Sequence, residues 1–126
     1  MRVVDTSAWI EFLIDSPLGQ TFSAQMRDPA EIVVPTIVQF ELTKWLTREV
    51  GEDARESMLS VMTQCLVVDL DTSVALRAAE VARSHRLATA DAIIYATALA
   101  QEAELVTCDA HFKDLPGVIY FAKVRQ

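Results

Sequence analysis

Thiols are scarce in this chain: Cys65 and Cys108 are its two cysteines, far apart, with no Cys-x-x-Cys or Cys/His ligand spacing around either. That excludes a disulfide framework, argues against zinc, and leaves two reduced thiols. Histidines also number two, and no Ser/His/Asp arrangement can be laid out around them, which disfavours an imidazole-activated nucleophile. Glycine and proline together number seven, against 52% hydrophobic residues, so the chain is globular rather than disordered. It shows no repeat, linker or low-complexity segment. Apolar runs stop well short of the ~18 residues of a membrane span, and the N-terminus enters a strand at once rather than a charged leader. A cytoplasmic protein with no membrane contact is therefore expected. Positive charge is short too: eleven Lys and Arg against eighteen Asp and Glu give −7. Nucleic-acid binders are usually basic, so any such contact here must rest on local patches or on a groove between two copies.

What is present is a single domain of 126 residues, long enough to bury roughly 65–70% of its unfolded surface. Short apolar runs at residues 2–5, 32–34, 66–70, 104–107 and 118–121 read as strands. Helical patterns lie between them. Thr6 or Ser7 caps a first helix to about Asp15, with Trp9, Ile10, Leu13 and Ile14 inward. Pro17 opens a second, to about Arg27. Pro35 or Thr36 starts a third, which Gly51 ends. A fourth runs from about Glu52 to Gln64, with Met58, Leu59, Val61 and Met62 toward the core. Asp71-Thr72-Ser73 caps an alanine-rich helix to about His85, Thr89 caps the next, and residues 122–126 form a short polar tail. Buried strands alternating with helices predict a three-layer α/β/α sandwich around a five-stranded, mostly parallel sheet.

Four acids sit where this architecture makes them costly. Asp5 and Asp109 end the first and fourth strands. Sites in such sheets form beyond the carboxyl ends of strands, where the strand order reverses. Projected at about 100° per residue, Glu41 falls between Ile37 and Trp45 on the apolar arc of its helix. Asp91 lies in a first helical turn, where the helix dipole favours a negative charge, but it shares a face with Ile94, Tyr95, Ala98 and Leu99. Each has an ordinary reading: a turn residue, a helix-end charge, a solvated neighbour of Lys44. Their coincidence at one place is better explained by a pocket. Carboxylate oxygens without Cys or His suit the hard cations Mg²⁺ and Mn²⁺, which polarise a phosphodiester and lower the pKa of bound water. Thr6 and Thr107 are placed to hydrogen-bond the carboxylates or a metal-bound water. Arg83, Arg86 and Lys113 flank the acids in sequence and are candidate phosphate contacts. Ser7 is assigned to capping and His111 to the loop surface. Phe40 points off the core arc. Together with Trp9 and the acidic surface, it suggests that a second chain covers part of this one.

Asp5-Thr6-Ser7 after the opening strand, Gln39-Phe40-Glu41-Leu42, Ala90-Asp91-Ala92 opening a helix, and Leu105-Val106-Thr107-Cys108-Asp109 before Phe112 together resemble the PIN-domain nucleases. The likeness runs from residue 1 to about 121 in motif order and spacing, and the compact length resembles the VapC-type toxins of toxin–antitoxin pairs. The resemblance implies a metal-dependent endoribonuclease that cleaves RNA at a Mg²⁺ or Mn²⁺ site held by Asp5, Glu41, Asp91 and Asp109. It also implies a homodimer, held in a higher assembly by a cognate antitoxin whose tail enters the active-site groove. Two other classes compete. A non-catalytic PIN-like module would bind metal and protein without cleavage. A receiver-like phosphoacceptor would want paired acids after strand one and a lysine after the last strand, whereas Asp5 is followed by Thr6-Ser7 and Lys123 lies in the tail.

Overall fold

Val3 and Val4 are both fully buried, although neighbouring side chains on a strand point to opposite faces. The same holds for Val33 with Val34 and for Leu105 with Val106. A sheet with both faces sealed requires helices on either side, and the computed structural model, which describes residues 1–123, has them. Its strands are β1 (Arg2–Val4), β2 (Ile32–Pro35), β3 (Leu66–Val68), β4 (Glu104–Thr107) and β5 (Val118–Tyr120). They form one sheet in the order β3-β2-β1-β4-β5, and every pairing is parallel rather than merely most of them. The order reverses between β1 and β4, which places the switch-point crevice beyond Val4 and Thr107.

The helices are α1 (Thr6–Leu13), α2 (Pro17–Thr21), α3 (Thr36–Glu49), α4 (Glu52–Met62), α5 (Thr72–His85) and α6 (Thr89–Ala100). On α3, Val38, Leu42 and Leu46 form the buried stripe at helical spacing, and Val74, Ala78 and Val81 do the same on α5. α6 is buried nearly all round, from Ala92 to Ala98, and packs on β1, β4, α3 and α5. It is the central helix of the molecule. Trp9, Phe22 and Phe112 are the largest fully buried side chains, each contributing roughly 1.5–3 kcal/mol by leaving water. Among the described residues no helix is long and apolar enough to cross a membrane.

Several local expectations are corrected. The second helix stops at Thr21 and continues as a 3₁₀ turn, Ser23–Met26, instead of running unbroken to Arg27. Ile14 and Val61 are exposed, because α1 ends at Leu13 and α4 turns Met58 and Met62 inward. The third strand ends at Val68, and Leu66 and Val67 remain exposed because β3 is an edge strand. Thr89 is the first residue of α6 rather than its cap, which is Ala88. Trp9 is 1% exposed within its own chain and offers a partner nothing, whereas Phe40 is 63% exposed as expected. The polar tail from residue 124 onward lies outside the described residues.

Candidate active site

Asp5 leaves β1 with its N–H donating to Val106 O (3.0 Å), then caps α1 itself. Its Oδ1 accepts from Ala8 N (3.1 Å) and from Ser7 Oγ (2.7 Å), and its Oδ2 accepts from Thr107 Oγ1 (2.8 Å). Neither Thr6 nor Ser7 is the cap. Ser7 instead ties α1 to β4, accepting from Cys108 N (3.2 Å) while donating to Asp5. Sequence reasoning missed that role, since a serine two residues after a strand is a helix-cap signal first. The Asp5 residue is 3% exposed. Burial pushes its carboxyl up to about 6 from 3.8; the donors Ser7, Thr107 and Ala8 pull it down in part, and the Asp109 charge adds to the rise.

Thr107, fully buried at the end of β4, donates to Asp5 and accepts from Asp109 N (2.9 Å), so one hydroxyl sets the spacing of two acids. Asp109 then caps a 3₁₀ turn, Ala110–Phe112, with Oδ1 accepting from His111 N (2.9 Å). That turn folds His111 back over the acids. Its Nδ1 stands 3.1 Å from Asp109 Oδ1 and 3.3 Å from Asp91 Oδ2. His111 is therefore not an idle loop histidine, although its side chain is largely exposed. The spacing Asp-x-His could have signalled this, because an aspartate that hydrogen-bonds the backbone two residues on brings that residue over its own carboxylate.

Asp91 comes from the first turn of α6, half-buried. Burial raises its pKa first and the Asp109 charge next, His111 opposes both, and Glu41 adds a smaller rise. Glu41 on α3 accepts from Thr6 Oγ1 (2.7 Å). Thus Thr6 orients Glu41, Thr107 orients Asp5, and the fields of Asp109 and Glu41 reach their neighbours. Four acids from four elements are brought to the crevice between β1 and β4.

This arrangement fits a divalent cation. Asp5 and Asp91 are carboxyls whose burial and repulsion by Asp109 favour protonation, and a cation among the acids would relieve both effects. Asp91, Asp109 and His111 each present a donor atom, and the three atoms lie within 4.8 Å of one another. Arg83 and Arg86 are exposed at the end of α5 and Lys113 just past the 3₁₀ turn; among the described residues no hydrogen bond or ion pair joins them to the acids. The bases that do line clefts next to the acids are others. A cleft of about 540 Å³ joins Asp109 to Tyr120 and Lys123, and one of about 250 Å³ joins Glu41 to Phe40, Lys44 and Arg48. Lys44 and Arg48 follow Glu41 by three and seven residues on α3, so helical spacing aligns them with it, whereas tertiary packing alone brings Lys123 beside Asp109.

The family profile described as "PIN domain" matches residues 2–118. The chain belongs to the PIN-domain family. Among solved structures of this fold, a chain of a toxin–antitoxin complex from Klebsiella pneumoniae aligns with a TM-score of 0.81 at 20% identity, covering 94% of this PIN chain and 96% of that one. VapBC2 from Rickettsia felis, bound to a DNA fragment from their promoter, gives 0.74 at 18% identity, with 98% of both chains covered. Mycobacterium tuberculosis VapC20, described as a sarcin–ricin loop cleaving toxin, gives 0.68 at 18% identity, covering 82% of this chain and 85% of that one. At such identities the likeness is one of fold. No curated protein sequence matches the chain.

Proposed function

We propose that this PIN domain is a metal-dependent endoribonuclease and the toxin of a toxin–antitoxin pair. The observation that carries the reading is the convergence of four acids from separate elements on one crevice, with Asp5 buried there and held by three donors. The neighbouring folds support the biological half of it: several come from toxin–antitoxin complexes, and one is described as a toxin that cleaves the sarcin–ricin loop.

Asp5, Glu41, Asp91 and Asp109 would hold Mg²⁺ or Mn²⁺, which when bound supplies a polarised phosphodiester and an acidified water at neutral pH. The rest falls to the protein's own groups. Thr107 and Ser7 hold the Asp5 carboxylate in one orientation, and Thr6 does so for Glu41. Lys44 and Arg48 on one side and Lys123 on the other offer phosphate contacts, while Phe40 and Tyr120 offer faces on which bases stack. Arg83, Arg86 and Lys113 would reach phosphates farther from the crevice. Local bases of this kind let an acidic chain bind RNA. The working form is a homodimer in the cytoplasm, inhibited in a larger assembly by its antitoxin.

The test is expression in a host without the antitoxin. Growth arrest is expected, with relief by Asp91→Asn, which keeps size and removes the charge of a ligand. Full toxicity of Asp91→Asn at equal protein level would sink the nuclease reading.

A further inference from the structure

Resting on the metal-site reading above, we propose that His111 is a nitrogen ligand of that metal, so that the site selects Mn²⁺ over Mg²⁺. The acids alone make an oxygen site, which suits both ions; an imidazole donor favours the transition metal. The geometry supports His111 as that donor. Ligands at adjacent corners of an octahedron with bonds of about 2.1–2.2 Å lie roughly 3.0–3.1 Å apart. Nδ1 of His111 is 3.1 Å from Asp109 Oδ1 and 3.3 Å from Asp91 Oδ2.

The backbone that carries the ring is also held in place. The His111 backbone N–H donates to Asp109 Oδ1, and the next residue, Phe112, is fully buried and anchors the 3₁₀ turn. His111 is therefore presented to the acids by a fixed backbone. Although the side chain is largely exposed, its Nδ1 is the ring atom that faces the acids. Nothing on the far side of the ring competes for it: among the described residues Asp91 and Asp109 are its ion-pair partners.

The experiment is metal binding by the full-length protein at pH 7.5, without RNA, following loss of the free Mn²⁺ EPR signal and displacement by Mg²⁺. Pulsed EPR of the bound Mn²⁺ then reads ¹⁴N coupling. Wild type should show imidazole ¹⁴N coupling, and His111→Ala should abolish it. The same variant should weaken Mn²⁺ binding by at least about tenfold while leaving Mg²⁺ binding within about twofold. His111 is largely exposed, so the variant should fold, and a thermal melt with chelator checks this. Absence of ¹⁴N coupling in wild type, or an equal loss of both ions in His111→Ala, would overturn the proposal. Asp91→Asn and Asp109→Asn separate this outcome from failure of the site itself. If those variants bind both ions like wild type, the acidic metal site is wrong. If they lose both ions while His111→Ala changes nothing, only the role of His111 is wrong.

Discussion

At the scale of single residues, Asp5 links folding to function through one proton. Its carboxyl is pushed up to about 6, mainly by burial, from 3.8. Between those values the folded chain keeps a proton that the unfolded chain has released. Stability of the metal-free protein therefore falls as pH rises from about 4 to about 6 and levels off above, by on the order of 3 kcal/mol. Asp5→Asn removes the titration and can still accept from Ala8 N and Ser7 Oγ. With chelator present, the variant should melt above wild type at pH 7.5 and close to it near pH 4. A melting difference that ignores pH would show that burial of Asp5 carries no such penalty. Metal should act in the opposite sense, since it binds the ionised acids of the folded state. At a hundredfold excess over Kd it adds about 2.7 kcal/mol, or roughly 8–15 °C in Tm for a chain of this length. Differential scanning calorimetry with millimolar Mn²⁺ should show that gain at pH 7.5, a smaller one near pH 5, and little in Asp5→Asn.

At the scale of elements, the turn from α1 into α2 is held by one shared carbonyl. The Glu11 carbonyl accepts from both Ser16 N and Ser16 Oγ, and Ser16 Oγ in turn caps α2 by accepting from Gly19 N. A methyl group at position 19 would sit 2.2 Å from that carbonyl oxygen and 2.6 Å from its carbon. Backbone gripped by two hydrogen bonds yields little, so Gly19→Ala should cost about 2–3 kcal/mol or more, by separating α2 from α1. Urea unfolding measures it, and a loss under about 0.5 kcal/mol would mean that the two helices are free to shift. Here glycine is required by a close approach and not by its dihedral angles. The sequence offers no hint of that, because a glycine inside a short helix looks like an ordinary weak point.

At the scale of the whole molecule, exposed apolar side chains remain after the core is filled: Phe40 and Val50 on and beside α3, Leu66 and Val67 on the edge strand, Leu76 on α5. For a chain of 14.0 kDa, light scattering on a sizing column at tens of micromolar should return twice that mass, about 28 kDa, or more. A monomer alone would end the homodimer expectation, and the exposed residues would then be left for the proposed antitoxin.

Much of this was legible in the chain itself. Apolar runs too short to alternate, set between helical patterns, dictate a buried parallel sheet, because such strands survive only with both faces covered. Acids at the ends of β1 and β4 and on the apolar faces of α3 and α6 were visible because each violates its own local pattern. Which carboxylates are candidates for a site was thus legible in sequence periodicity. The partnerships within it were decided by tertiary structure. Ser7 reaches across a gap of 101 residues to Cys108 N, and Thr107 across 102 to Asp5. His111 turns toward the acids on a 3₁₀ turn capped by Asp109, and Lys123 arrives beside Asp109 from beyond the last strand. Periodicity tells which face of an element a residue occupies. It carries no information on which residue of another element stands opposite, since that depends on the register and packing of β1 against β4 and of both against α6.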